Sequence, residues 1–251
     1  MKKLYDALYL RNLHQLLRSS KLRTYELLTP DSNDRICDVG CGVGLDAVAL
    51  AASGATVIGI DNDIDFISTA QSIVSRDTTK PMFLCADASC TPFKGESFTK
   101  IRFDRVFQHI PEATKVILEA RRVLCRDGLI QIFEPDYLSM TFFHPNIRFE
   151  RKLFDALANE RIPNAHKVRF LPHELVNCGF EVTSVDIVNH QFHDIQLVKA
   201  LIRFDEIVDD LTRHDLLTSE DEVTWRELCA DVRRAFTCSL NFLLIMGQRT
   251  S

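Results

Sequence analysis

Short apolar runs alternate with amphipathic stretches through the first half of the chain. Five runs have the length and the apolar content of buried β-strands: 35–40, 55–60, 81–86, 98–103 and 129–134. Three further stretches carry apolar residues at helical spacing: 43–53, 63–76 and 111–125. Strands that alternate with helices predict an α/β fold, in which helices lie on both faces of a parallel sheet.

The two ends of the chain follow other patterns. Residues 1–29 carry apolar positions at helical spacing, which predicts one or two amphipathic helices. Beyond residue 140 the pattern predicts four more helices: 146–160, 171–180, 194–213 and 220–236. It also predicts two strands, at 181–192 and 238–249. Ser219 and Glu222 stand at the spacing of a capping box for the last helix.

Composition narrows the classes of function. Hydrophobic residues make up 46% and charged residues 26% of the 251 positions, as in globular proteins with a sizeable core. The formal net charge of −5 gives no basic footprint, which disfavours a nucleic-acid partner. No stretch has the roughly 18 to 20 apolar residues that span a bilayer. The start of the chain lacks the apolar core of an export signal, so we expect a cytoplasmic protein.

Eight cysteines are candidates for metal or redox chemistry. No two of them form a C-x-x-C pair, so their spacing gives little indication of a zinc site. Most lie in apolar segments, where a free cysteine packs as a small hydrophobic residue. We therefore predict no metal site.

Three of the nine glycines, Gly40, Gly42 and Gly44, fall within five positions, where a predicted strand turns into a predicted helix. Glycine permits backbone conformations and close approaches that other residues do not. In α/β sheets this edge is where ligands bind. Asp38, just before the cluster, is a carboxylate at the end of an apolar strand, which is costly unless something pairs with it. The alternative is a tight strand-to-helix turn without a ligand.

Asp61 follows the second predicted strand, 21 residues after Gly40. An acid at this offset can accept hydrogen bonds from both hydroxyls of a ribose. The alternative is that an acid here caps the following helix, and Asp63 suits that role better. Together, the glycine turn and Asp61 indicate a cofactor that contains adenosine, whose identity these residues leave open.

Two sequence segments resemble a known family. "DVGCGVG" (38–44) followed by "IGIDND" (58–63) is similar to the first two motifs of class I S-adenosylmethionine-dependent methyltransferases. The third glycine of a dinucleotide G-x-G-x-x-G motif would fall at position 45, which is Leu45 here. "CADAS" (85–89) is similar to the segment of this family that addresses adenine.

The resemblance continues beyond the cofactor motifs. "RFDRVFQHIPEATKVILEARRVLCRDGLIQIFEPDY" (102–137) resembles small-molecule methyltransferases of the ubiquinone-biosynthesis type. "LPHELVNCGFEV" (171–182) and "FTCSLNFLLIMG" (236–247) resemble the last helix and the closing strand of that subgroup. The resemblance implies a Rossmann-like fold: a seven-stranded, mostly parallel sheet with the last strand antiparallel, helices on both faces and a helical lid.

The same resemblance implies how the cofactor binds. The methionine portion of S-adenosylmethionine would lie against residues 40–44, with its amino group near Asp38 and the Gly40 carbonyl. Asp61 would hold the ribose, Asp87 the adenine amino group, and the Ala88 N–H a ring nitrogen. The expected cofactor-binding residues are then Asp38, Gly40, Cys41, Gly42, Gly44, Asp61, Asn62, Asp87, Ala88 and Arg102. S-adenosylhomocysteine would be the product.

Methyl transfer needs little from catalytic side chains. Aligning the acceptor with the methyl group can lower the barrier by roughly 7 to 11 kcal/mol. A general base is required only when the acceptor arrives protonated. His109, just past the fourth strand, is one candidate. The alternative is that His109 caps or packs at the start of the helix at 111–125.

The segment "EPDY" (134–137) follows the fifth strand and supplies the second candidate, Tyr137. Pro135 predicts an extended turn that would hold Glu134, Asp136 and Tyr137 at the same edge of the sheet. A purely structural turn is the alternative. The segment differs in position from the Asp/Asn-Pro-Pro-aromatic motif of amino methyltransferases, which follows the fourth strand, so methylation of nucleic-acid bases by that mechanism is disfavoured.

Other polar residues have simpler interpretations. His144 and His166 lie in segments expected to form the lid, and for both an exposed surface position is favoured. Arg102 and Arg105 could pair with an acidic substrate, although a solvated face is favoured for both.

The sequence therefore predicts one methyltransferase domain over 1–251 that acts on a small-molecule acceptor. Residues 31–140 would form the cofactor-binding core, 1–30 an N-terminal helical cover, and 141–251 the lid segments and closing strands. An RNA or protein acceptor is one alternative. A partner subunit that binds S-adenosylmethionine without catalysis is another. The acceptor atom and the oligomeric state stay open.

Overall fold

The computed structural model describes residues 6–74, 80–143, 146–161, 164–202, 204–230 and 236–250. Its strands form one seven-stranded sheet in the order β3-β2-β1-β4-β5-β7-β6. The strands are β1 (Arg35–Val39), β2 (Thr56–Asp61), β3 (Met82–Cys85), β4 (Phe98–Asp104), β5 (Leu124–Phe142), β6 (Phe180–Phe192) and β7 (Cys238–Arg249). The seven predicted strands are thus confirmed, with boundaries that differ most for β5.

Strand directions follow from the register. β1 pairs in parallel with β2 and β4, and β2–β3 and β4–β5 are parallel pairs as well. β7 runs the other way. The Gln248 side chain near its end donates to the Asp127 carbonyl near the start of β5 at 3.0 Å, whereas the Asn241 N–H donates to the Ser139 hydroxyl further along β5 at 2.9 Å. The predicted antiparallel closing strand is confirmed.

Ten helices accompany the sheet in the described part of the chain. They are α1 (Ala7–Leu16), α2 (Arg18–Leu28), α3 (Leu45–Ala51), α4 (Ile64–Ile73), α5 (Ala113–Val123), α6 (Ile147–Ala156), α7 (Leu171–Asn177), α8 (Ile195–Ile202), α9 (Phe204–Arg213) and α10 (Ser219–Ala230). Short 3-10 turns occupy 107–109 and 167–169, and a π-helical turn occupies 157–161. None of the described helices is long and apolar enough to cross a membrane.

The prediction for the start of α10 is wrong in detail, whereas the stretch 194–213 is helical at 195–202 and 204–213, the two ranges of it that the structure describes. The capping box of α10 lies one residue before the predicted pair. Asp221 Oδ2 accepts from the Thr218 N–H at 2.8 Å, and the Thr218 hydroxyl accepts from the Asp221 N–H at 3.2 Å. The short Asp side chain thus takes the reciprocal role that was assigned to Glu222.

The predicted turn at "EPDY" is also wrong. β5 continues through Pro135 to Phe142, and β4 ends at Asp104, opposite Phe133. Beyond that point β5 has no ladder bond to make with β4. Proline, which has no N–H, therefore costs nothing on that side of the strand.

The fold divides into two compact units. The first comprises 1–134, 170–186 and 243–251, and the second comprises 135–169 and 187–242. In the first, residues of β1, β2, α2 and α3 share one apolar core that includes Leu28, Ile36, Ala47, Leu50 and Val57. This core fixes the strand and the helix on either side of the glycine turn. The assignments of 1–30 as a helical cover and of lid segments within 141–251 stay predictions.

The second unit has an aromatic core. The Phe142 and Phe154 rings lie 4.7 Å apart, and those of Phe204 and Trp225 lie 5.3 Å apart, measured between centroids. All four side chains are buried. Large aromatic groups supply much of the buried apolar surface in such a core.

Candidate functional site

The glycine turn joins β1 to α3 through left-handed backbone conformations. The φ angles of Gly40, Gly42 and Gly44 are 69°, 53° and 80°, in the left-handed region that favours glycine. The Cys41 N–H donates to the Ile60 carbonyl at 2.9 Å, which pins the turn to the end of β2. The turn is therefore held by the backbone and needs glycine at all three positions.

Side chains of the protein itself crowd two of these glycines. A Cβ on Gly40 would lie 2.5 Å from Val106, and one on Gly44 would lie 2.5 Å from Phe83. A Cβ on Gly42 would meet only the tip of Leu10, at 3.1 Å. Contacts within the protein are thus part of the reason why glycine is needed at positions 40 and 44, without any ligand. Gly42 is the position where the turn stays most open.

Asp61, at the end of β2, is bound to the turn. Its Oδ2 accepts from the Gly42 N–H and its Oδ1 from the Asp63 N–H, both at 2.9 Å. Burial raises the pKa of this carboxyl above its ordinary value. Each oxygen retains acceptor capacity, so a ribose diol could still bind. The cap of α4 is Asp63, whose Oδ1 accepts from the Asp65 N–H at 2.9 Å, so the capping alternative does not apply to Asp61.

The end of β3 lies beside Asp61, because the Ala86 N–H donates to the Asp61 carbonyl at 3.0 Å. Asp87 is exposed, and its Oδ1 accepts from both the N–H and the hydroxyl of Ser89 at 2.7 Å. These bonds lower the pKa of Asp87, so its carboxylate is ionised. The half-buried Ala88 follows it. The adenine-binding roles of Asp87 and Ala88 stay predictions, as does the assignment of Asn62.

Asp38, at the end of β1, is buried and only half satisfied. Its Oδ1 accepts from Arg102 Nη1 at 3.0 Å. Among the described residues, its Oδ2 has no hydrogen-bond partner. Burial raises the pKa of Asp38 to about 7, with Arg102 opposing the shift and Asp46 and Asp104 adding to it. A buried carboxylate oxygen without a partner is an unusual and costly feature.

Arg102 is completely buried, so the prediction that it lies on a solvated face is wrong. It stands opposite Asp38 in the register of β4 and β1. Its Nη2 donates to Asp104 Oδ2 at 2.5 Å, and the Tyr25 ring centroid lies 5.6 Å from its Cζ. Burial opposes its charge, but the three carboxylates of Asp38, Asp46 and Asp104 outweigh this and raise the pKa of Arg102.

The same prediction is wrong for Arg105, whose side chain is only 16% exposed. Its Nε donates to Asp104 Oδ1 at 3.0 Å. Alternate residues of β4 share a face, and charged residues at 100, 102 and 104 suggest a solvated one. Helix α2 covers this face, which the local pattern does not show.

Helix α2 contributes residues that the sequence did not single out. Lys21 lies on its buried face and places Nζ 2.5 Å from Asp46 Oδ2 and 2.7 Å from Asp104 Oδ2. The Tyr25 hydroxyl donates to the other oxygen of Asp46. The available signal was Lys21 itself, which stands at helical spacing between the buried Leu17 and Leu28. A charged residue there needs buried partners.

The turn after β4 carries His109 and is held by Glu134. Glu134 Oε1 accepts from the N–H groups of Phe107, at 2.7 Å, and of Val106. Glu134 is buried, and burial, with a smaller effect of Asp104, raises its pKa to about 8. The sequence predicted that Glu134 lies at the edge of the sheet. Its carboxyl holds the turn after β4, and Val106 of this turn packs against Gly40.

His109 is exposed at the end of this turn. It lies four residues before α5, whose N-cap is Glu112, so the helix-capping alternative is wrong. Partial desolvation and the Arg105 cation lower the pKa of His109, which keeps its ring neutral near pH 7. A neutral imidazole can accept a proton.

The second unit contains the other candidates. Tyr137 is half-buried on β5. The buried Asp136 is paired with Arg169, whose Nε lies 2.9 Å from Oδ1 and whose Nη2 lies 2.8 Å from Oδ2. Both oxygens of Asp136 are thus engaged. His166 is exposed, as predicted, and His144 lies outside the described residues. The catalytic role of Tyr137 stays a prediction.

The cysteines are free thiols. Cys41, inside the glycine turn, is half-buried, and burial raises the pKa of its thiol. A raised pKa disfavours the thiolate, which is the nucleophilic form. Within the described ranges, no group of three or more His, Cys, Asp or Glu side chains is placed to hold a metal ion.

Comparison with known families matches a methyltransferase domain over residues 37–132. A 37.1 kDa protein of a transposon from Streptomyces fradiae is 30% identical over 199 residues, which cover 76% of this chain and 57% of that protein. A demethylmenaquinone methyltransferase from Clavibacter sepedonicus is 28% identical over 148 residues, which cover 59% of this chain and 57% of the enzyme. The chain thus spans little more than half the length of either relative.

Solved structures share the fold. The YcgJ protein of Bacillus subtilis superposes with a TM-score of 0.65 over 93% of this chain and 99% of its own, at 17% identity. At that identity the likeness concerns the fold alone. The family match begins at Cys37 and ends at Ile132, and so includes the glycine turn, Asp61 and the buried pair Asp38–Arg102.

Proposed function

Since the chain belongs to the class I S-adenosylmethionine-dependent methyltransferases, we propose that it transfers the methyl group of S-adenosylmethionine to a small-molecule acceptor. The observation that carries the proposal is the unpartnered Oδ2 of Asp38, buried two residues before the glycine turn. The cofactor's ammonium group is a cation that would satisfy it.

The residues of the turn fit the remaining parts of the cofactor. Asp61 has acceptor capacity for a ribose diol, and it is oriented by two backbone N–H groups. Gly42 leaves the turn open next to it. The bound cofactor supplies a methyl group made electrophilic by the sulfonium charge. The protein then has to hold and orient it, which is the larger part of catalysis for such a displacement.

The residues after β4 fit the acceptor side of the reaction. The Glu134 carboxyl fixes the Val106–Phe107 backbone, and this turn presents the neutral His109. His109 would take the proton of an acceptor that arrives protonated. Tyr137 is the second candidate for contact with the acceptor.

A small-molecule acceptor is supported by two observations. The relative from Clavibacter sepedonicus is named for a menaquinone precursor, which is a small molecule. The net charge of −5 gives no general attraction to nucleic acid. The acceptor itself, and whether oxygen, nitrogen or carbon is methylated, depend on the shape of the acceptor pocket.

Calorimetric titration with S-adenosylhomocysteine tests the cofactor site. We expect binding near micromolar strength that Asp61→Ala weakens by more than tenfold, because the ribose diol loses both acceptors. Asp65→Ala is the matched control, since Asp65 is an exposed acid in the next turn of the chain. Unchanged binding by Asp61→Ala would refute the ribose assignment.

Transfer of a labelled methyl group tests the acceptor class. The protein is incubated with labelled S-adenosylmethionine and, separately, a metabolite extract, total RNA and total protein. We expect label only in the metabolite extract. Label confined to RNA or protein would move the acceptor to that class, and cofactor binding without transfer to any fraction would favour a non-catalytic subunit.

A further inference from the structure

Asp38 lies in a buried network of charged side chains. Three carboxylates, those of Asp38, Asp46 and Asp104, alternate with three cations, those of Lys21, Arg102 and Arg105. These side chains are between 0% and 16% exposed. Asp46 and Asp104 each face at least two of the cations, whereas Asp38 faces Arg102 alone and its Oδ2 has no partner among the described residues. A buried carboxylate oxygen is costly unless a partner satisfies it.

We propose that Arg102 and Lys21 are positioning residues for Asp38, which hold one oxygen of its carboxylate and leave the other for the ammonium group of the cofactor. The inference rests on the proposed function, because the ammonium group belongs to S-adenosylmethionine. By this inference, β4 and the N-terminal helix α2 each contribute a residue that supports the cofactor site.

Arg102 orients Asp38 directly. One arm of its planar guanidinium donates to Asp38 Oδ1 at 3.0 Å, and the other donates to Asp104 Oδ2 at 2.5 Å. A guanidinium held at both arms cannot rotate, so the oxygen bound to it is fixed as well. The second oxygen of Asp38 is thereby kept in one place, without a partner among the described side chains.

Lys21 acts one step further away. It lies 2.5 Å from Asp46 Oδ2 and 2.7 Å from Asp104 Oδ2, and these are the two carboxylates that compete with Asp38 for Arg102. Arg102 Nη1 is 3.5 Å from Asp46, compared with 3.0 Å from Asp38. Because Lys21 neutralises Asp46 and Asp104, these carboxylates attract Arg102 less strongly. Arg102 Nη1 therefore keeps its hydrogen bond to Asp38.

A purely structural role makes a different prediction. If the network only anchors α2 to the sheet, its loss should weaken every ligand of the site equally. If it positions Asp38, its loss should weaken only ligands that carry the amino group. Two ligands separate these cases: S-adenosylhomocysteine, and 5′-methylthioadenosine, which has the adenosine and the thioether but no amino-acid portion.

The experiment compares both ligands by calorimetric titration of the full-length protein and its Arg102→Met and Lys21→Met variants. For Arg102→Met we expect a loss of at least tenfold in affinity for S-adenosylhomocysteine and a change of less than twofold for 5′-methylthioadenosine. Lys21→Met should show the same selectivity with a smaller loss. Equal losses for the two ligands would overturn the positioning role while leaving the proposed function intact.

Lys100→Met is the matched control. Lys100 stands two residues before Arg102 on the same face of β4, and its Nζ lies 2.7 Å from both Asp34 Oδ2 and the Thr29 carbonyl. Its loss breaks a comparable buried ion pair away from Asp38. We expect an unchanged ratio of the two affinities. A ratio that shifts as it does for Arg102→Met would contradict the inference.

Arg102→Lys covers the case in which Arg102→Met does not fold. It keeps a cation but cannot hold two carboxylates with a planar fork, so the selective loss should persist at lower amplitude. Circular dichroism establishes that each variant is folded. If the unaltered protein bound neither ligand, the proposed function would fail, and this outcome is distinct from equal losses in the variants.

Discussion

Asp38 and Asp61 occupy equivalent places, each at the carboxyl end of a parallel strand beside the glycine turn, but they are held differently. Asp61 is held by two backbone N–H groups, those of Gly42 in the glycine turn and of Asp63 two residues further on. Asp38 is held by the side chain of Arg102, which depends in turn on α2 and β4. The first arrangement uses backbone donors only, whereas the second is built from side chains that come from distant parts of the chain.

The difference has consequences for energy and for charge. Backbone donors cannot be lost by substitution, and they stabilise the ionised form of Asp61 without introducing another buried charge. The network around Asp38 takes six charged side chains largely out of water and leaves one carboxylate oxygen of Asp38 unpaired. Such a network is costly when one member is removed.

The largest expected effect is on stability, from Lys21→Met. The substitution leaves Asp46 and Asp104 buried with one cation fewer, so the free energy of unfolding should fall by about 3–5 kcal/mol. Urea denaturation at pH 7 measures it. Lys115→Met is the control, because Lys115 forms an exposed pair with Glu112, in which both side chains are over 60% exposed. That pair should contribute under about 1 kcal/mol, and equal effects would refute the contrast.

The next effect is the pH dependence of cofactor binding. Asp38 must be ionised to bind an ammonium group, and its pKa is raised to about 7. From pH 6 to pH 8 the affinity for S-adenosylhomocysteine should therefore rise by about tenfold, while that for 5′-methylthioadenosine stays constant. The other groups facing Asp38 keep their charge in this range: Arg102 is cationic, and the pKa values of Asp46 and Asp104 are lowered.

The control for this pH dependence is Asp38→Asn, which should bind S-adenosylhomocysteine weakly and equally at both pH values. His14, near Asp46, is the histidine closest to this network, and burial lowers its pKa while the Asp46 carboxylate opposes that shift. A tenfold rise that persisted in Asp38→Asn would assign the titration to another group.

The raised pKa of Asp38 also determines whether its contribution to folding stability grows or falls as the pH rises. In the unfolded chain this carboxyl ionises near its ordinary value, and in the folded protein it holds its proton until about pH 7. Its contribution to stability is therefore complete below about pH 4 and is lost as the pH rises towards 7. Bound S-adenosylhomocysteine should offset that loss, because its ammonium group pairs with the ionised carboxylate.

The contrast also shows how much the sequence can predict. The cap at Asp63 depends on neighbours within a few residues, and the glycine turn and Asp61 belong to sequence motifs that can be recognised locally, whereas β1 was predicted to within one residue. The burial of Arg102 depends on α2, whose contact residue Thr24 lies 78 positions away. A charged face covered by a distant helix has the same local pattern as a solvated one. Lys21 was overlooked for that reason.

β5 gives a second case of the same limit. Pro135 predicts an extended backbone, which is correct, but whether that backbone turns or continues depends on the neighbouring strand. β4 ends opposite Phe133, so no ladder bond is lost at the proline and the strand continues. The length of one strand thus depends on the end of another, which local periodicity does not contain.

The smallest effect tests the backbone-held side of the contrast, through Asp63→Ala. The substitution removes the N-cap of α4, where Asp63 Oδ1 accepts from the N–H groups of Asp65 and Phe66. The free energy of unfolding should fall by about 1 kcal/mol. The Asp63 N–H that Asp61 accepts from is retained, so affinity for S-adenosylhomocysteine should change by less than twofold. A large loss of affinity would show that Asp61, like Asp38, depends on its neighbours' side chains, and the distinction between the two acids would fail.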